Sequence, residues 1–201
     1  MKDPSRNAEF CSSFTFTGTI ADIRRLSRAL QLTVSQMVAG RLKTDYILMI
    51  PFDAETDEFL YAPGDTVLVQ DAMLYEKNSE MRLRISDLSQ IRATSAQPGE
   101  LNALAFSGRI VEVREENNYS LAQFEQTVAD RFPTKLEVMF PSSVELEFPP
   151  KVGDIGFISH ALFYEKDGRY RAKVERPTYS RLYSPDYVLD LGTIEAKELF
   201  I

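Results

Sequence analysis

The segments FTGTIADIRR (16–25) and FSGRIVEVRE (106–115) are two versions of one stretch. Phe16, Gly18, Ile20 and Arg24 fall on Phe106, Gly108, Ile110 and Arg114 at an offset of 90. With that offset kept, QMVAGRLKT (36–44) falls on QTVADRFPT (126–134), and Met49 and Pro51 on Met139 and Pro141. One residue is then lost, and at an offset of 89 PGDTVLVQDAMLYEK (63–77) lies over VGDIGFISHALFYEK (152–166) and RLRI (82–85) over RAKV (171–174). About 20 identities over about 70 positions with one gap make the chain an internal duplication.

Each copy reads as five short strands. Phe14-Phe16-Gly18-Ile20-Ile23 alternates around a glycine, as a bent strand does. Leu30-Leu32-Val34 and Tyr46-Leu48-Ile50 keep period two, the latter stopped by Pro51. An acidic loop and the Gly64-Asp65 turn lead to Val67-Val69, and Asn78-Ser79 turns the chain back into Leu83-Ile85. Asp167-Gly168 marks the same turn in the second copy. SLAQFEQTVADRF (120–132) also fits an amphipathic helix; it is read as the second strand and loop because its partner LTVSQMV is strand-like.

Five strands in about 75 residues, the first bent at glycine and the last two a hairpin, suit a small Greek-key barrel of the OB type. A sandwich accommodates five strands too, but the bent first strand favours the barrel. The expected architecture is all-β, two tandem OB-fold five-stranded barrels. Residues 1–13 form an N-terminal extension, 14–91 the first barrel, 92–102 a small-polar linker, 103–182 the second barrel and 183–201 an acidic C-terminal segment. Residues 2–10 read either as native chain or as a vector-derived remnant.

The G-x-I/V of the first strand, the G-D-x-V-x-V at 64–69 leading to Leu74, and the L-x-I at 83–85 resemble the bacterial single-stranded DNA-binding proteins. The resemblance spans roughly 14–91 and 103–176, and two such domains on one chain resemble the tandem-OB binders that dimerise to present four. It implies single-stranded DNA as partner, a homodimer, and service in DNA replication, repair or recombination. The chain departs from the pattern in having no tryptophan, no long Gly/Pro-rich tail, and Gly156 and Ile158 where the first copy has Val67 and Val69.

Sequence-tolerant binding to a single strand needs aromatic faces for bases and cations for phosphates. YEKDGRYRAKVERPTYSR (164–181) interleaves six basic residues with three acidic ones and three tyrosines. The expected nucleic-acid-binding residues are therefore Tyr164, Lys166, Arg169, Tyr170, Arg171 and Lys173 in the second copy, and Tyr75, Lys77, Arg82 and Arg24 in the first. Arg41 and Arg131 join them, because exposed cations have little structural reason to recur in both copies. The competing reading is that Tyr75 and Tyr164 simply pack at a barrel mouth. Phe16 and Phe106 share the parity of the apolar strand residues and belong to the core.

The net charge of −7 speaks against a nucleic-acid binder unless the charges are segregated. They are: the acids collect at 53–58, 112–116, 145–147 and in the last sixteen residues. One cysteine, Cys11, and one histidine, His160, provide neither a disulfide nor a zinc site, so no metal and no cofactor are expected. There is no GxxxxGK[ST] or GxGxxG, and no catalytic constellation. No apolar run approaches membrane-spanning length, and MKDPSRNAEF lacks the apolar stretch of a signal peptide, so an intracellular, cytoplasmic protein is expected. In the tail, Tyr187-Val188-Leu189 reads as a strand packed on the second barrel; the alternative is a docking tip for replication or repair proteins, ending in Leu199-Phe200-Ile201. The function expected is non-catalytic, sequence-tolerant single-stranded DNA binding. The alternatives are an OB-fold protein-interaction scaffold and an RNA-binding protein.

Overall fold

The computed structural model describes residues 11–53, 58–128, 132–146 and 148–183, with only the backbone of Val128 and Phe132. Its regular structure is strand: β1 (Ser12–Leu26), β2 (Ala29–Val38), β3 (Leu42–Pro51), β4 (Thr66–Lys77), β5 (Glu80–Arg84) and β6 (Ile91–Ala93) in the first unit. The second unit repeats it as β7 (Asn102–Glu116), β8 (Tyr119–Val128), β9 (Phe132–Pro141), β10 (Ile155–Lys166), β11 (Arg169–Lys173) and β12 (Ser180–Tyr183). Residues 120–128 of the segment that also fits a helix thus lie in the strand β8.

Pairing in the first unit runs β1 to β2 to β3 to β5 to β4 and back to β1. The second unit has the same ring, β7-β8-β9-β11-β10. The β3–β5 pairing is parallel and short, Leu48 opposite Leu83 and Met49 opposite Arg84. This is the five-strand order of the OB fold. Beyond the five expected strands, β6 adds to β4 and β12 to β10, each after a 3-10 turn. Arg92 and Ala93, placed in the linker by composition, therefore belong to β6.

Alternation puts Phe16, Ile20, Leu32, Val34, Leu48, Val67 and Leu83 inside the first unit, each almost fully buried. The glycine of β1 lies under close approach by β2, while the register irregularities of β1 fall on either side of it, between Phe14 and Phe16 and between Ile20 and Asp22. A Cβ on Gly18 would lie 2.7 Å from Val34 and 2.9 Å from the Ser35 carbonyl; one on Gly108 would lie 2.8 Å from the Glu125 carbonyl. The departure at Gly156 is a repacking. Val34 corresponds to Phe124 and Val67 to Gly156, and a Cβ on Gly156 would meet the Phe124 ring at 2.3 Å. The larger ring occupies the volume that a valine fills in the first unit.

Both hairpin turns between strands four and five have left-handed backbone, with φ of 55° and 61° at Asn78 and Ser79 and 54° and 75° at Asp167 and Gly168. A bulge interrupts β4 and β10 at Asp71 and His160, both at φ 51°. His160 is exposed there, its ring 5.1 Å from Tyr179.

β1 also pairs with β7, from Ser12 opposite Phe106 to Phe16 opposite Asn102, so the two rings share one twelve-stranded sheet. The seam has approximate two-fold symmetry. Thr44 Oγ1 accepts from the Glu165 amide at 3.2 Å, and its counterpart Thr134 accepts from the Glu76 amide at 3.1 Å. Ser12 serves the amide and carbonyl of Leu74, both at 2.9 Å, as Asn102 serves those of Phe163, both at 2.7 Å. Tyr46 crosses the seam to donate to the Phe163 carbonyl, while Gln36 donates to its hydroxyl at 2.8 Å. Several identities between the copies, among them the threonines, are thus kept by mutual packing.

Candidate nucleic-acid interface

Strand alternation also fixes what each unit turns outward on strands one, two, three and five. In the first unit the register places Arg24, Gln31, Met49 and Arg84 in one row across four strands. The next row holds Asp22, Thr33 and Ile47, with Arg82 of β5 on the same outer face, opposite to the buried Leu83. At strand spacings of about 4.8 Å, Arg24 and Arg84 flank an uncharged strip about 14 Å wide. Arg24 pairs with Asp22 at 2.9 Å, and Arg82 Nε donates to Glu80 at 2.8 Å. Arg84 is exposed and has no ion pair among the described residues.

The matching rows of the second unit are Arg114, Leu121, Met139, Lys173 and Glu112, Gln123, Glu137, Arg171. Here the Ile47 position is a carboxylate that gathers cations. Glu137 receives Arg114 at 2.6 Å, Arg171 at 2.8 Å and Arg169 at 3.6 Å. Lys173 pairs with Glu175 at 3.3 Å. Three expected binding cations thus lie on this face, two of them tied to Glu137.

Tyr75 faces Arg82 across the β4–β5 ladder, and Tyr164 faces Arg171 across β10–β11. Each is only 6% exposed, so neither presents an open ring face to a base. Burial pushes both phenols above their usual pKa, opposed by the neighbouring arginines. Lys77 and Lys166 stand exposed beside the hairpin tips. Arg41 is exposed in the β2–β3 loop, and Arg131 lies outside the described residues. Tyr170 belongs to the seam: its ring stacks on Phe163 at 5.4 Å and its hydroxyl donates to the Asp45 carbonyl at 2.7 Å. Its pKa is pushed up to about 12 by burial and then by Glu165 and Asp45.

Sequence reasoning saw Arg84 in the first copy's basic hairpin but left it out of the expected binding residues, and it missed Arg114 and Glu137. A signal existed for the first: Arg84 corresponds to Lys173, a conserved charge that a count of identities overlooks. Glu137 opposite Ile47 is a difference between copies, and comparison for sameness passes over it. Among the described residues no cluster of His, Cys, Asp and Glu is placed to hold a metal ion. No described helix is long and apolar enough to cross a membrane.

No protein-family model matches the chain, and no curated protein matches it in sequence. Among solved structures it is similar to a deletion mutant of the single-stranded DNA binding protein from Thermus aquaticus, at a TM-score of 0.56 and 16% identity, covering 89% of this chain and 96% of that one. Fission yeast Pot1 with single-stranded DNA (TM-score 0.33, 9% identity, 97% and 91% covered) and a murine DNA binding protein with double-stranded DNA (0.31, 10%, 85% and 95%) are more distant. Those two scores are too low to carry an argument. The likeness to the Thermus protein, over nearly the full length of both chains, is one of fold: an all-β chain of two OB-type units.

Proposed function

We propose that this chain is a non-catalytic, intracellular protein that binds single-stranded DNA with little regard to sequence. The observation that carries the reading is the outer face of the first unit, where Arg24, Arg82 and Arg84 border the uncharged strip of Gln31, Thr33, Ile47 and Met49. Phosphates follow the cations while bases lie on the strip, between the β1–β2 turn with Arg28 and the β4–β5 hairpin with Lys77. A partner of the OB fold uses this face and these loops. The tyrosines expected to stack take no part in this strip: the rings of Tyr75 and Tyr164 are covered, and Tyr170 lies in the seam.

The test is fluorescence anisotropy of labelled oligo-dT of about 30 nucleotides, with duplex and RNA competitors. Binding that weakens with salt and that duplex fails to displace supports the proposal. No binding at low salt refutes it. The scaffold reading has one observation in its favour: the second unit's face cations are engaged by the protein's own carboxylates.

A further inference from the structure

The two units share a fold and a register, and among the differences between their outer faces one is central. In the first unit Ile47 lies between Thr33 and the arginines of β5, and the carboxylate of β3 on that face, Asp45, stands one row away beside Lys43 at 3.7 Å. Its counterpart Glu137 stands at the same point of β9, its side chain only 11% exposed. Guanidinium groups reach it from β7 and from two positions of β11: Arg114, Arg169 and Arg171. A carboxylate that draws three guanidiniums from two flanking strands occupies the place a phosphate would take, because arginine forks bind both groups alike.

Resting on the single-strand reading above, we infer that Glu137 is a built-in anion that fills the phosphate position of the second unit, so that the first unit carries most of the strand's backbone contacts. A phosphate approaching the second face meets two obstacles. The arginine donors are already engaged, and the carboxylate repels it. Arg114 is held further by Glu112 at 3.3 Å, whereas its counterpart Arg24 has only Asp22. The duplication has thus left one open face and one occupied by the chain itself.

The test is to give the second unit the residue of the first, Glu137→Ile, with Glu137→Gln as a variant that keeps the side chain's shape. Two probes are used on the full chain, with folding checked by circular dichroism: labelled oligo-dT, and inorganic tripolyphosphate followed by thermal shift. Three released arginines should tighten oligo-dT binding at low salt at least fivefold. The slope of log Kd against log salt should steepen by about two, at about 0.7 per single-strand phosphate contact. Tripolyphosphate should stabilise both variants more than the parent chain. Unchanged affinity, slope and tripolyphosphate response in both variants would overturn the inference while leaving the parent's DNA binding intact. If no form binds oligo-dT but the variants gain tripolyphosphate binding, Glu137 does fill an anion site and it is the single-strand reading that fails.

Discussion

Exchanging the core pair of the second unit for that of the first tests how the two units came to differ. Phe124 is fully buried, and a Cβ on Gly156 would lie 2.3 Å from its ring against an ordinary contact of 3.4 Å or more. Gly156→Val alone adds three carbons to filled space, which overpacks the core and costs about 1–3 kcal/mol. Phe124→Val alone removes four carbons from a buried ring. Its cost is about 2–4 kcal/mol, somewhat below that of a full truncation to alanine. If the sites were independent, the double variant would lose about 3–7 kcal/mol, enough to unfold a marginal domain. Together, however, the changes recreate the Val34–Val67 pair and leave a net deficit of one carbon, about 1 kcal/mol. The assay is urea denaturation followed by far-UV circular dichroism, since the chain has no tryptophan. A coupling energy of at least about 2 kcal/mol in the double-mutant cycle is expected. Costs that simply add would refute the compensation, and with it the account of why Gly156 departs from the repeat.

The remaining predictions concern the seam and the buried tyrosines. Burial raises the pKa values of Tyr46, Tyr170 and Cys11, the second to about 12, so the folded chain keeps protons that the unfolded chain loses above about pH 8.5 for the thiol and about pH 10 for the phenols. Their stabilising contribution is complete below those values and falls as pH rises toward the folded pKa values. Urea midpoints should decline from pH 8 to pH 11, and Tyr46→Phe should blunt that decline at a cost of about 1–2 kcal/mol for the lost partner of Gln36. Tyr164→Ala should cost about 2–4 kcal/mol of folding stability, because the side chain is nearly buried. Weaker oligo-dT binding by Tyr164→Ala with unchanged stability would show that the ring serves as an open stacking platform instead.

Fold and site were unequally legible in the sequence. Alternation within each strand and the recurrence of Phe16, Gly18 and Ile20 as Phe106, Gly108 and Ile110 carry the strand order, because these are local constraints. Strands β6 and β12 are too short to show a period, having three and four residues. The seam escaped for another reason. Tyr46 meets Phe163 and Asn102 only through pairing of β1 with β7, far apart in the chain. That distance also explains Tyr170, whose basic surroundings in sequence suggest a ligand contact while its ring and hydroxyl are used between the units. For the cations, position in a charged hairpin was visible, but whether a carboxylate from another strand answers each one was not. Arg171 and its counterpart Arg82 look alike until Glu137 and Ile47 are placed beside them.

The most direct test of the claim that a single strand lies on the first unit's outer face is the salt dependence of oligo-dT binding in the parent chain and in the double variant Arg24→Ala, Arg84→Ala. Both side chains are exposed and border the strip from opposite sides, so the fold should be unaffected. The account predicts weaker binding to every sequence and a slope of log Kd against log salt shallower by about 1.4, two phosphate contacts at about 0.7 each. An unchanged slope and affinity in the double variant would contradict it, because the strand would then be held somewhere other than this face.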